Sequence, residues 1–131
     1  MKIYISHSKK LNFKEELYQP LRESQLNSEH EFVLPHELYE EATDFVTKDI
    51  IKECDVVVAE VSFAATGMGI ELGFASAFER PIICIYKKGV HTSGSLKVIT
   101  DNFIEYTDKE DLIQKLTEVL KDEKYLTPKI F

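Results

Sequence analysis

Positive charge is in short supply along these 131 residues: 16 lysines and arginines stand against 23 aspartates and glutamates, a formal net charge of -7. A chain of that sign repels a phosphate backbone, so extended nucleic-acid binding is not expected. A small anion is a different matter. Lys9, Lys10 and Lys14 are near enough in sequence to hold one phosphate, although three such lysines serve equally well as a solvated helix start. Long apolar runs are missing too. None approaches the roughly 20 residues of a membrane span, and the opening MKIYISHSKK lacks the apolar stretch of a secretory signal. The expectation is an uncleaved, soluble, cytoplasmic chain without membrane contact. Only two cysteines occur, Cys54 and Cys84, outside any paired motif, and they read as small buried hydrophobes of a reducing compartment. The histidines at 7, 30, 36 and 91 lack metal-ligand spacing, so neither a metal nor a cofactor is expected. What remains is enough apolar material, 44% of residues, for one core and one domain spanning 1–131.

Five short β-branched or aromatic runs are bounded by polar residues and predict strands: 2–6 (KIYIS), 31–34 (EFVL), 55–61 (DVVVAEV), 81–86 (PIICIY) and 103–106 (FIEY). Helical patterns fall between them. Phe13, Leu17 and Leu21 recur at i, i+4, i+8; Phe45 goes with Ile50 and Ile51; a small-residue stretch runs from Glu71 to Phe78; and Leu112, Leu116, Val119 and Leu120 mark a last helix. A further short helix is expected over 94–100. The runs DVVVAEV and PIICIY are apolar on both faces, as in buried parallel strands, and strand–helix alternation requires βαβ crossovers. The predicted architecture is therefore α/β: a doubly wound, flavodoxin- or Rossmann-like five-stranded parallel sheet, order 2-1-3-4-5, with helices on both faces.

In that strand order a ligand crevice opens beyond the carboxyl ends of strands 1 and 3, where the winding reverses. The segments leaving those strands are Ser6-His7-Ser8-Lys9-Lys10 and Ser62 to Glu71. Gly67 and Gly69 would permit a close backbone approach, with Thr66 beside them, and Glu71 is expected in the first turn of the next helix with its carboxylate toward the crevice. There the helix dipole would favour the ionised form that a carboxylate nucleophile requires. An acidic residue in a first turn also has an ordinary role, stabilising the helix by roughly 0.3–1 kcal/mol. Gly69, Gly73 and Ala77 form a small-residue stripe expected to let this helix lie close on the sheet. His36, just past strand 2, is placed to touch a ligand at the crevice rim.

The stretch CDVVVAEVSFAATGMGIELGFASAFERPIICIY, with its helix start G-x-E-L-G-x-A, resembles the core of the nucleoside 2-deoxyribosyltransferase superfamily, nearest the 2′-deoxynucleoside 5′-monophosphate N-hydrolases. The resemblance implies that Glu71 is the nucleophile attacking C1′ of the sugar, that Tyr4 on the first strand steadies it, and that the loop Ser6-His7-Ser8-Lys9 helps hold sugar and phosphate. It implies a double displacement through a glycosyl-enzyme ester, opened by water or by a second base, with retention of configuration. The substrate would be a small nucleoside or nucleotide. A homodimer is implied as well, with Ser95 standing where a neighbouring subunit contributes a serine, although Ser93 matches equally.

Two positions depart from that pattern. Where the group places an aspartate eight residues upstream of the strand's opening Asp55, this chain has Thr47; Asp44, three residues earlier on the same helical face, is the substitute, with a helix N-cap as its alternative role. Six residues before the nucleophile, where the monophosphate hydrolases have serine, stands Ala65, with Thr66 adjacent. Two further readings stay open. KIYISHS also resembles the opening of TIR domains, which assemble or cleave NAD, and Thr47 makes a catalytically inactive nucleotide-binding protein of the same fold credible.

Overall fold

The computed structural model describes residues 1–38 and 47–130. Five parallel strands, β1 (Lys2–His7), β2 (Glu31–Val33), β3 (Val56–Glu60), β4 (Ile82–Lys87) and β5 (Phe103–Tyr106), form one sheet in the order β2-β1-β3-β4-β5. This is the predicted order. Strand alternation sorts the side chains into two cores. Ile3, Ile5, Val56, Val58, Ile83 and Ile85 face one side, where they meet Leu17, α1 (Gln19–Glu23), α2 (Leu26–Glu29) and α6 (Lys109–Val119). Tyr4, Val57, Ala59 and Cys84 face the other, under α4 (Thr47–Glu53) and α5 (Thr66–Ala77). Burial on both faces is why β3 and β4 read as continuous apolar runs. A short helix α3 (Pro35–Leu38) follows β2, and the helix expected over 94–100 is a 3₁₀ turn, Gly94–Val98. Among the described residues no helix is long and apolar enough to cross a membrane.

The structure corrects three details of the reading. The helix expected from Phe13, Leu17 and Leu21 is a π-helical turn, Lys14–Tyr18, leading into α1. Pro20 has no N–H to give to Glu16, and its ring excludes that carbonyl. The ladder therefore widens, with the Gln19 N–H bonding the Lys14 carbonyl. α5 starts at Thr66, so Glu71 lies in its second turn, beyond the free N–H groups of the helix end. The stripe Gly69, Gly73, Ala77 faces solvent rather than the sheet, because Met68, Leu72 and Ala75, about 100° round the helix, take the buried side. A Cβ at any of the three α5 glycines would meet nothing within 4 Å.

Candidate active site

Parallel register places Tyr4 opposite Val57 and Ser6 opposite Ala59, so both side chains rise on the face covered by α5. There they meet Glu71. The Tyr4 hydroxyl donates to Oε2 of the carboxyl, and the Ser6 hydroxyl donates to Oε1 at 3.0 Å. Tyr4 and Ser6 are themselves buried, so the two donors are fixed by the sheet. Burial pushes the Glu71 carboxyl above its ordinary range, and the two hydrogen bonds oppose that rise without cancelling it. Burial, then the neighbouring Glu71 charge, holds the Tyr4 phenol far above its ordinary value, so it stays a donor. Thr47, at the start of α4, acts on the same phenol in the opposite sense, lowering its pKa against the larger rise.

Glu71 opens onto a cavity of about 530 Å³, a volume suited to a nucleotide-sized ligand. His7, Ser8, Lys9 and Lys10 form the wall from β1; Pro35 and His36 come from beyond β2; Thr47 comes from α4; and Ala64, Ala65, Gly67, Met68, Ile70 and Phe74 come from the β3–α5 loop and α5. The cavity thus lies at the carboxyl ends of β1 and β3, the predicted crevice. His7, Ser8, Lys9, His36 and Gly67 are brought together on its walls, while Ser6 points to Glu71 instead. Thr66 stands exposed at the start of α5, outside the lining. Gly69 and Ser95 line a smaller neighbouring cavity of about 230 Å³, with Ser93 and His91. Asp44 lies outside the described residues.

His7 has a fixed polarity. The Ser8 carbonyl can only accept, so Nδ1 donates to it at 3.0 Å; Nε2 must then accept from the Tyr18 hydroxyl at 2.7 Å, which itself accepts from the His36 N–H at 3.1 Å. Burial lowers the imidazole from 6.5 to about 4, so it is neutral at pH 7. Phe13 stacks on it at 4.4 Å, and the His36 ring lies 5.1 Å away. His7 is therefore an uncharged wall rather than an acid or base. Phe13 was read only as part of an apolar helical pattern and Tyr18 was not singled out, since nothing in sequence joins either to His7. Thr47 was visible only as an absent carboxylate; its place on the cavity wall beside Glu71 needed the fold. Among the described residues no cluster of three or more His, Cys, Asp or Glu side chains is placed to hold a metal.

No family model matches the chain. It is 37% identical over 82 residues to a protein of Syntrophotalea carbinolica named for 2′-deoxynucleoside 5′-phosphate N-hydrolase activity, covering 60% of this chain and 57% of that one. A protein of the same name from Thermofilum pendens is 32% identical over 76 residues, covering 54% of this chain and 53% of that one. The matched stretches thus span a little over half the length of these relatives. Among solved structures, the CMP N-glycosidase BcmB of Clostridium botulinum superposes with a TM-score of 0.62 over 89% of this chain and 99% of its own, at 22% identity. The chain is therefore similar to the 2′-deoxynucleoside 5′-phosphate N-hydrolases of the nucleoside 2-deoxyribosyltransferase superfamily in sequence over three-fifths of its length, and shares the fold of an N-glycosidase over nearly all of it.

Proposed function

We propose that this protein cleaves the N-glycosidic bond of a (2′-deoxy)nucleoside or its 5′-monophosphate, with Glu71 as the nucleophile. One observation carries the reading: among the described residues one carboxylate lines the cavity, with a separate buried hydroxyl on each oxygen, Tyr4 on one and Ser6 on the other. Such a carboxylate is aimed and cannot rotate away from C1′. It attacks C1′ as the bond to the base breaks, passing through an oxocarbenium-like transition state to a glycosyl ester. The departing base takes the bonding electrons and a proton from solvent. Water, or a second base, then attacks C1′, gives up a proton to solvent and frees the Glu71 carboxylate. Lys9 and Lys10 on the cavity wall favour an anionic substrate, hence the monophosphate over the nucleoside. His36 and the neutral His7 ring offer apolar faces to a planar base.

The outward stripe Gly69, Gly73, Ala77, beside Ile70 at 55% exposure, suits close packing of a second copy, and we assign the homodimer contact to this face. Thr47 supports a second reading. A threonine hydroxyl on the cavity wall supplies no acid to the departing base, as in a nucleotide-binding protein without turnover.

A panel of deoxynucleosides, ribonucleosides, their 5′-monophosphates and NAD, incubated with and without an acceptor base and chromatographed for free base, tests these readings. Base release from a monophosphate in water alone is the expected result. Release only with an acceptor makes the protein a transferase. Cleavage of NAD alone would sink the assignment in favour of the TIR-like reading, and ligand binding with no release would favour the binding protein.

A further inference from the structure

A second buried carboxylate lies at the same edge of the sheet and has no part in the chemistry above. Glu60 ends the central strand β3 and is 1% exposed. Its Oε1 accepts from the Ser62 N–H at 2.6 Å, and its Oε2 accepts from the Ser62 hydroxyl at 2.9 Å and from the Tyr106 hydroxyl. The direction of the Ser62 bond is forced. The Lys87 N–H can only donate, and it donates to the Ser62 oxygen at 2.9 Å, so the one Ser62 hydroxyl proton goes to Glu60. The Lys87 ammonium is engaged elsewhere, 3.0 Å from both oxygens of Glu16. Among the described residues Glu60 therefore makes no ion pair; it is held by dipoles from Ser62, just beyond β3, and from Tyr106 at the end of β5.

A buried carboxylate without a cation is costly, and an apolar or amide side chain would ordinarily be cheaper there. Only a glutamate has both the reach and the two acceptor oxygens to take all three donors. Glutamine offers one acceptor, and aspartate is one methylene short. What the three bonds fix is the loop leaving β3. Ala64 and Ala65 in that loop line the cavity, and Ala65 begins α5 with no side-chain cap, so beyond Ser62 the loop has no polar side chain to secure it before Thr66. The nucleophile is gripped independently, by Tyr4 and Ser6 of β1.

We propose that Glu60 is a positioning residue: it anchors the β3–α5 loop as one wall of the cavity and so sets how tightly the nucleotide is held, while β1 sets how well Glu71 attacks. This rests on the reading of the cavity as a nucleotide site. The two grips predict a split in the kinetics that a merely structural residue would not produce.

The experiment compares Glu60→Gln, Ser62→Ala and Ser62→Thr with the parent, measuring amide hydrogen exchange of the ligand-free proteins and steady-state kinetics on the nucleotide that the panel identifies. Faster exchange at residues 62–68 and a KM raised about tenfold with kcat within about twofold are expected for the first two variants, with Ser62→Thr restored toward the parent. Unchanged exchange at 62–68 in Glu60→Gln overturns the anchor. A lowered melting temperature with unaltered KM, or a fall in kcat like that of Tyr4→Phe, overturns the positioning role. Should Glu60→Gln not fold, Tyr106→Phe removes a single donor and must move exchange and KM in the same direction, less far. A parent that neither binds nor cleaves any nucleotide defeats the reading of the cavity instead, and the exchange data still decide the anchor.

Discussion

Each oxygen of Glu71 faces one hydroxyl, and burial raises its pKa above the ordinary value of 4.5, so the site holds a carboxylate that is easier to protonate than a free one. Because the folded value exceeds the unfolded one, keeping Glu71 ionised costs stability above its folded pKa, and that cost is relieved as pH falls. Glu71→Gln is therefore expected to lose turnover on the order of a thousandfold or more while melting at the same temperature or higher; activity within tenfold of the parent would rule Glu71 out as nucleophile. Tyr4→Phe removes a donor that favours the anion. It should lower kcat and move the acid limb of the kcat profile to higher pH, with a smaller loss of stability; an unmoved limb with a large drop in melting temperature would make Tyr4 a packing residue only. His7 works in the opposite sense. Its pKa is depressed from 6.5 to about 4, so its contribution is full above 6.5 and is lost as pH falls from 6.5 toward 4, an effect of at most about 3 kcal/mol. Urea unfolding at pH 7 and pH 4.5 should show His7→Gln with a flatter pH dependence than the parent, and parallel curves would refute the buried neutral imidazole.

Among the elements, α5 serves two surfaces. Met68, Leu72 and Ala75 bind it to the sheet and deliver Glu71 to the cavity, while Gly69, Gly73 and Ala77 leave its outer side bare. If a second copy packs there, Gly73→Arg should give a folded monomer by sedimentation; a parent that is already monomeric at high concentration removes the dimer assignment. α4 is the element on which the missing acid bears. Thr47 lines the cavity, so Thr47→Asp would put a carboxyl near the departing base. If the native protein lacks an acid, Thr47→Asp raises the rate on substrates with ordinary leaving groups and leaves activated ones little changed. Equal effects on both classes would show that position 47 does not reach the leaving group. α6 has the plainest account: Asp108 caps it by accepting from the Asp111 N–H at 2.8 Å. Its replacement by alanine should cost about 1 kcal/mol in denaturant unfolding with no change in activity.

Across the whole molecule, the reactive edge is assembled from the carboxyl ends of the strands, and two separate hydroxyl–carboxylate knots secure it. One joins β1 to α5 through Tyr4, Ser6 and Glu71; the other joins β3, β4 and β5 through Glu60, Ser62 and Tyr106. The sheet's parallel order makes both possible, since every strand ends at the same edge. Tyr4 and Tyr106 also pack in the two cores, whereas Glu71 and Ser62 belong to neither, so variants of Glu71 or Ser62 are expected to unfold cooperatively like the parent. Coincident transitions by fluorescence and circular dichroism would establish that.

The strand order and the position of Glu71 at the crevice were legible in sequence because both are written in local signals. Continuous apolar runs mark strands buried on two faces, strand–helix alternation forces crossovers, and G-x-E-L-G-x-A is a contiguous motif. The register of α5 was not legible. A helix start without a capping side chain leaves no mark, so Glu71 read as a first-turn residue and the glycine stripe as a sheet contact, whereas the competition of Met68, Leu72 and Ala75 for the core turned both. Proline likewise decided locally what periodicity alone had smoothed over at Pro20. Apart from Ser62, two residues from Glu60, the hydrogen-bonded partners of the two carboxylates are 67, 65 and 46 residues away in sequence. Hydrogen bonds of that kind depend on donors within about 3 Å, a distance that the parallel sheet sets by bringing strand ends together and that no spacing along the chain encodes.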